Sequence, residues 1–106
     1  MESYYTLNTD IFIDNLYNYN FSNNSTLLKI KQSIYNFIKY GNITECLATS
    51  VSDAKYKFTK IIAHNVLTNL TTCSDHDIAK IKTPALLAFL DSTISDLVVN
   101  AVNKKL

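Results

Sequence analysis

The sequence predicts an all-α fold, a compact bundle of five to six helices in a single domain. Apolar residues recur at spacings of three and four along most of the chain, which is the period of an amphipathic helix. The 106 residues include one Gly and one Pro, so few tight turns that need positive φ are expected. Hydrophobic residues make up 47% of the chain and charged residues 18%, which is enough apolar surface for one core.

The first predicted helix covers residues 9–20. Asn8 precedes Thr9 and Asp10, and a side chain of this type accepts hydrogen bonds from the first turn of a helix. The stretch from Leu16 to Phe21 also alternates between apolar and polar residues, as a strand would. Because a lone strand would lack a partner, a helix is the favoured interpretation of residues 10–21.

The second predicted helix, over residues 25–40, has the clearest periodicity. Its apolar residues share one face: Leu27, Ile30, Ile34, Phe37 and Ile38. Gly41 follows the last of them, in the place where a glycine in the left-handed conformation often ends a helix. Asn42 and Glu45 then have the spacing of a capping box, which predicts a short helix over residues 42–50.

The helix predicted over residues 52–70 has two apolar faces. Ser52 and Asp53 are its start signal. The first face contains Ala54, Phe58, Ile61 and Ile62, and the second contains Tyr56, Ala63, Leu67 and Leu70. Lys57, Lys60, His64 and Thr68 lie between them and are expected to face solvent. A helix with two apolar faces is typical of the centre of a bundle, and the second face needs a neighbouring helix, a second copy or a target to cover it.

Two further helices are predicted in the last third of the chain. Ser74 begins a short helix over residues 74–82, which carries acidic residues in its first turn. Pro84 is tolerated at the first position of the last helix, over residues 84–103. The apolar stripe of that helix is formed by Leu87, Leu90, Ile94, Leu97 and Ala101.

The sequence predicts no catalytic site, no metal site and no cofactor. Cys73, Asp75, His76 and Asp77 crowd a helix start, but side chains this close in sequence point apart and a second ligand pair is missing. Asp10 with Asp14, and Asp91 with Asp96, are typical of solvated helix faces. A small thiol enzyme that uses Cys73 with His76, or Cys46 with His64, is kept as an alternative.

Nucleic-acid binding is a second alternative. Lysines cluster on two of the predicted helices. The helix at 25–40 carries Lys29, Lys31 and Lys39, and the helix at 52–70 carries Lys55, Lys57 and Lys60. Lysine alone can contact phosphates. The net charge of +1 provides no strong field, and the chain has no Arg for paired contacts to guanine, so this function is disfavoured.

The favoured function is therefore non-enzymatic protein–protein interaction, as an adaptor or inhibitor. Tyr is enriched in interfaces because it buries a large area at little cost in side-chain entropy. The expected partner-binding residues are Tyr56, Ala63, Leu67, Leu70, Tyr17 and Tyr19, and a homodimer would be one form of such binding. All basic residues are Lys, which indicates an AT-rich genome such as that of a virus or mobile element. Without a signal peptide or an apolar span, a cytoplasmic location is expected, in the host cytosol if viral.

Overall fold

The computed structural model describes residues 4–20, 25–72 and 84–105. These residues form four α-helices, a single turn of 3₁₀ helix and one two-stranded antiparallel sheet. In chain order the elements are β1 (Tyr4–Leu7), α1 (Thr9–Asn18), α2 (Ser25–Tyr40), the 3₁₀ turn (Ile43–Glu45), α3 (Val51–Thr72), α4 (Pro84–Val99) and β2 (Val102–Lys105). The prediction of an all-α bundle of five to six helices is therefore wrong. The helix predicted at 74–82 lies outside the described residues.

The sheet joins the two ends of the described chain. Tyr4 pairs with Lys105 and Leu7 pairs with Val102. On the other edge of β1, Tyr5 and Ala48 exchange two backbone hydrogen bonds of 2.9 Å. Four-residue strands are too short to show a periodicity of their own, and their partners are distant in sequence, so the helical pattern around them concealed the sheet.

The last helix is shorter than predicted. α4 ends at Val99, and the amide of Ala101 donates to the Val98 carbonyl oxygen at 2.9 Å in the turn that follows. The Ala101 carbonyl oxygen accepts a hydrogen bond of 2.8 Å from the Asn8 amide. Ala101 and Val102 extend the apolar periodicity of the helix, but Ala101 is buried in the turn after it and Val102 is half-buried as the first residue of β2.

The helix predicted at 42–50 is also wrong. Only Ile43–Glu45 is helical, as a 3₁₀ turn, and the Asn42 side chain makes no capping hydrogen bond. The predicted capping box is therefore not formed. Ile43 is buried in the core, and Ala48 pairs with β1. The Ala48 amide and carbonyl are hydrogen-bonded to Tyr5 of β1, so they are not available for the hydrogen bonds of a continued helix.

Gly41 follows the last residue of α2, as predicted, but for a different reason. Its φ is not positive, so the predicted left-handed conformation is wrong. Its amide donates to the Phe37 carbonyl oxygen at 2.7 Å, as in a further helical turn. A Cβ at this position would lie 2.5 Å from that same oxygen. The close approach of backbone to backbone therefore favours glycine here.

α3 begins with hydrogen bonds on both sides of its first turn. The Asp53 amide donates to Ser50 Oγ at 3.0 Å, and Asp53 Oδ2 accepts from the Thr49 amide at 2.9 Å. Lys57 Nζ lies 3.0 Å from the same carboxylate oxygen. The hydrogen bond from the Thr49 amide, followed by that from Lys57, holds the pKa of Asp53 below its usual value. Ser50 is the cap, so α3 starts at Val51, one residue before the predicted start.

α1 agrees with the favoured interpretation of the N-terminal segment. Asn8 Oδ1 accepts from the Ile11 amide at 3.1 Å, which caps the helix, and Phe12 and Leu16 are buried. The described part of residues 10–21 is thus helical through Asn18 and contains no strand.

The core lies on both sides of α3. The buried residues of α3 are Ala54, Phe58, Thr59, Ile62 and Val66. Against them pack Ile30, Ile34 and Ile38 of α2 and Leu90, Ile94, Leu97 and Val98 of α4. α3 therefore lies between α2 and α4 and also contacts β1. Among the described helices, none is long and apolar enough to span a bilayer.

Candidate protein-binding site on helix α3

The exposed side of α3 carries three side chains one helical turn apart, Tyr56, Lys60 and His64, which we call the α3 ridge. All three are exposed, and Tyr56 keeps 65% of its surface in solvent. Lys60 Nζ donates to the Tyr56 hydroxyl oxygen at 3.3 Å and lies 5.4 Å from the centre of the Tyr56 ring. Residues four apart are neighbours on a helix surface, so the helical spacing alone places Lys60 beside Tyr56.

The α3/α4 groove lies on one side of the ridge and has a volume of about 590 Å³. Besides the ridge, α3 contributes Ser52, Lys55, Thr59, Ala63 and Leu67 to its lining, and α4 contributes Asp91 and Ser95. A second hollow of about 330 Å³ continues past Ala63 and Leu67 towards Ala88 and Leu90. The seam between the two helices is therefore grooved beyond the ridge, and the walls of this second hollow are small and apolar apart from Asp91.

Two hydroxyl groups meet inside the α3/α4 groove. Ser95 Oγ donates to Thr59 Oγ1 at 3.3 Å across the two helices. Thr59 is buried and Ser95 is half-buried. The hydrogen bond satisfies polar atoms that would otherwise be costly in an apolar seam. It also fixes the register of α3 against α4 next to the ridge.

The α2/α3 groove lies on the other side of the ridge and has a volume of about 440 Å³. The ridge shares its lining with Phe37 of α2 and with Lys57, Ile61 and Asn65 of α3. Both apolar walls, Phe37 and Ile61, also pack against the core. The lining that the structure describes contains cationic and apolar groups and no carboxylate.

A third groove, of about 460 Å³, separates α1 from α2. Tyr17 lies on its edge with 80% of its surface exposed. Lys31 Nζ donates to the Tyr17 carbonyl oxygen at 3.0 Å and lies 5.6 Å from the Tyr17 ring. Tyr19 is half-buried against the core. This α1/α2 groove is lined by different residues from the two grooves of α3.

α2 carries a second Tyr–Lys pair with nearly the same geometry. Lys39 Nζ donates to the Tyr35 hydroxyl oxygen at 3.0 Å and lies 5.4 Å from the Tyr35 ring and 5.9 Å from the Tyr40 ring. The hydrogen bond to Tyr35 raises the pKa of Lys39 above its ordinary value. Lys39 lines neither groove of α3.

The structure brings three of the six predicted partner-binding residues together. Tyr56 is exposed, while Ala63 and Leu67 are half-buried, line the α3/α4 groove and pack against the core. The second apolar face of α3 is thus partly covered by α4. Leu70 lies in α3, but its side chain is outside the described residues. Tyr17 and Tyr19 belong to the α1 region instead.

Sequence reasoning missed the walls that other helices supply. Phe37 was predicted on the core face of its helix and Asp91 on a solvated face, and Ser95 was given no role, yet all three line grooves of α3. Lys60 was predicted to face solvent, and its contact with Tyr56 was not predicted. The spacing of four between Tyr56 and Lys60 is the signal that the sequence did contain.

The residues of the thiol and carboxylate alternatives are not brought into one site. Cys46 is a half-buried free thiol in the extended segment after the 3₁₀ turn, and His64 lies on the α3 ridge. Asp10, Asp14, Asp91 and Asp96 are all exposed. Cys73, Asp75, His76 and Asp77 lie outside the described residues. Within the described residues, no three His, Cys, Asp or Glu side chains are grouped as metal ligands.

No protein-family model, curated protein or solved structure matches the chain. The fold and the site together define only a class, a small helical protein with a two-stranded sheet and a central helix that has grooves on both sides.

Proposed function

We propose that the chain is a non-enzymatic interaction protein, an adaptor or inhibitor, which binds another protein through the α3 ridge and its two grooves. One observation carries the proposal: Tyr56 is 65% exposed although it lies between two grooves of the most central helix. A large, stiff aromatic side chain in this position has much area to bury on binding and little entropy to lose.

The composition of the grooves supports the same function. Ala63 and Leu67 form an apolar part of the α3/α4 groove, beside polar groups such as the Thr59–Ser95 pair and Asp91. A helix that docks into such a groove places apolar side chains at spacings of three and four. The two grooves, with Tyr56 between them, would offer an apolar contact on either side of a central aromatic residue.

A protein partner is favoured over nucleic acid because several of the clustered lysines already make contacts within the chain. Lys31 donates to the Tyr17 carbonyl oxygen and Lys57 pairs with Asp53. The proposal includes a cytosolic place of action. If the Lys-rich, Arg-free composition reflects a virus, that place would be the host cytosol.

The test is photo-crosslinking from defined positions. p-Benzoylphenylalanine, which resembles Tyr in shape, replaces Tyr56 in one version of the full chain, Tyr17 in a second and Tyr40 in a third. Tyr40 is the matched control, since it is 75% exposed and lines none of the three grooves. Each protein is irradiated in extract of the native cell, and adducts are identified by mass spectrometry.

We expect a discrete protein adduct from position 56 that positions 17 and 40 do not give. An adduct from position 17 alone would move the binding site to the α1/α2 groove. Equal labelling from all three positions, or none from position 56, would overturn the proposal. Sedimentation of the purified chain separates an adduct with a second copy from one with a different protein.

A further inference from the structure

From the geometry of the ridge we infer that the partner is an acidic, amphipathic protein segment, one of whose carboxylates binds between the Tyr56 hydroxyl and the Lys60 ammonium. The inference rests on the proposed function, and it adds the chemistry of the partner. It makes the Tyr56–Lys60 pair the specificity-determining contact of the site.

The donors of this pair point to a carboxylate. Because the Tyr56 oxygen accepts from Lys60 at 3.3 Å, the hydroxyl proton is directed away from the ammonium and can donate to a ligand. Lys60 uses one of its three N–H groups for Tyr56 and keeps others for the same ligand. Two neighbouring donors of this kind match the two acceptor oxygens of an Asp or Glu side chain, and bonds to an ionised acceptor are stronger than neutral ones.

The charges around the ridge favour an acidic partner. Lys55 lies on one side of it and Lys57 on the other, in the linings of the two grooves. Asp91 is the one carboxylate in the described lining of the α3/α4 groove, and Asp53 neutralises Lys57. The balance is positive, and complementary charge raises association rates and excludes wrong partners.

The same charges disfavour a second copy of the chain. A symmetric dimer buries the same patch of both subunits. A dimer with its axis at the ridge would bring Lys60 close to its own copy, and like charges placed together are costly. An acidic segment from a different protein has no such repulsion.

The apolar walls define the rest of the segment. Phe37 and Ile61 stand on one side of the ridge, and Ala63 and Leu67 stand on the other. A segment that crosses the ridge would therefore place apolar side chains on either side of its acidic residue. Such a pattern is amphipathic, and it differs from the uniform charge of a phosphate backbone.

The chain offers a matched control for the test. The Tyr35–Lys39 pair has the same spacing and a similar Nζ–hydroxyl distance, 3.0 Å against 3.3 Å. Lys60→Gln and Lys39→Gln therefore remove the same charge and the same hydrogen bond, but only the first changes a groove of α3. Tyr56→Phe and Tyr35→Phe form a second set in which only the hydroxyl is lost, and Tyr35 lines the α1/α2 groove but neither groove of α3.

The probes are two fluorescein-labelled helical peptides and one oligonucleotide. The first peptide carries Leu at helical spacings of three and four with Glu between, and the second has Gln at every Glu position. The third probe is a labelled single-stranded DNA of 20 thymidines. Binding of each probe to the intact chain and the four variants is followed by fluorescence anisotropy at low and at moderate salt.

We expect the Glu peptide to bind and the Gln peptide to bind about tenfold more weakly. Lys60→Gln and Tyr56→Phe should each weaken the Glu peptide by about threefold to tenfold. Lys39→Gln and Tyr35→Phe should change it by less than about twofold. The difference between the matched variants should shrink as salt is added, because exposed charges are screened.

Three results would overturn the inference. Equal affinity for the Glu and Gln peptides, or no binding of either, would rule out a carboxylate of the partner as the ligand of Tyr56 and Lys60. Equal effects of Lys60→Gln and Lys39→Gln, with tighter binding of the DNA, would instead indicate a general polyanion surface. A dimer that becomes more stable on Lys60→Gln would show that a second copy of the chain binds at the α3 ridge. If any of these results accompanies a discrete adduct with a different protein from position 56, the proposed function stands and only the acidic partner is excluded.

Discussion

α2 and α3 carry the same surface motif in different surroundings. Each exposes a lysine that donates to the hydroxyl of a tyrosine one turn earlier, Tyr35–Lys39 on α2 and Tyr56–Lys60 on α3. α2 packs against α1 and α3 and buries Ile30, Ile34 and Ile38, whereas α3 packs against α2 and α4. Tyr56 and Lys60 both line the two grooves of α3, whereas Tyr35 lines the α1/α2 groove and Lys39 lines none of these three grooves. The difference shows that the packing around a motif, and not its residue types, makes it a candidate site.

The largest difference between the two helices should appear on removal of a phenylalanine. Phe58 of α3 is fully buried, whereas Phe37 of α2 is half-buried. Phe58→Ala should lower the free energy of unfolding by about 3–5 kcal/mol, and Phe37→Ala by about 1–2 kcal/mol. Denaturant unfolding of both variants measures the two values. Equal losses would contradict the central position of α3.

The end of α2 should be the next most sensitive point. Gly41→Ala places a methyl group against the Phe37 carbonyl oxygen, 2.5 Å from it without relaxation. We expect a loss of about 1–3 kcal/mol in the free energy of unfolding, as for other overpacked sites. A more stable variant would show that the backbone there can move at no cost.

The start of α3 should have a smaller effect. Ser50→Ala removes the Oγ atom that accepts from the Asp53 amide and should cost about 0.5–2 kcal/mol. Ser50→Gly is a useful control, because glycine is the better cap of the two replacements. Thermal unfolding should rank the intact chain first, Ser50→Gly second and Ser50→Ala last.

A pH titration should then identify the contribution of Asp53. The folded chain holds the pKa of Asp53 below the ordinary value of 3.8 through the Thr49 amide and Lys57. The carboxylate therefore stabilises the folded state above that pH, and the stabilisation is lost as the pH falls through the lowered pKa. The thermal midpoint of the intact chain should fall more steeply than that of Asp53→Asn between about pH 5 and pH 2. Parallel curves would contradict the assignment.

The smallest effects on stability should come from the two lysines of the comparison. Lys60→Gln and Lys39→Gln each remove one exposed charge, and exposed pairs contribute little to stability. Both thermal midpoints should stay close to that of the intact chain. A loss of binding confined to Lys60→Gln could then be attributed to its place beside the grooves. A large fall in either midpoint would show a structural role instead.

The helices that were predicted best are those whose structure depends on local pattern. α2 has the predicted bounds, and α1 and α3 differ from prediction by two residues or fewer at each described end. Caps and periodicity are contained in short stretches of sequence. The cap of α3 was predicted at Ser52, but it is Ser50. Both serines precede the apolar face of the helix, so the pattern alone does not separate them. Ser50 lies three residues before Asp53, and its Oγ accepts from the Asp53 amide.

The sheet and the site walls could not be predicted in this way. β1 requires β2 and Ala48, which are distant in sequence, and a pairing of that kind has no local signature. Likewise, Phe37 and Asp91 reach the α3 ridge only because α2 and α4 pack on either side of it. The sequence indicated a second apolar face on α3, but the division of that face between core and surface depends on tertiary packing.

The register of the sheet also sets how the fold should respond to mechanical force. Tyr4 and Lys105 are partners at the same end of the antiparallel pair. A force that draws these two residues apart is therefore applied across the ladder and loads its hydrogen bonds one after another. Strands peeled in this way separate at much lower force than strands sheared along their length. Under tension applied at Tyr4 and Lys105, β2 should separate from β1 before the pairing of α3 with α4 bears load.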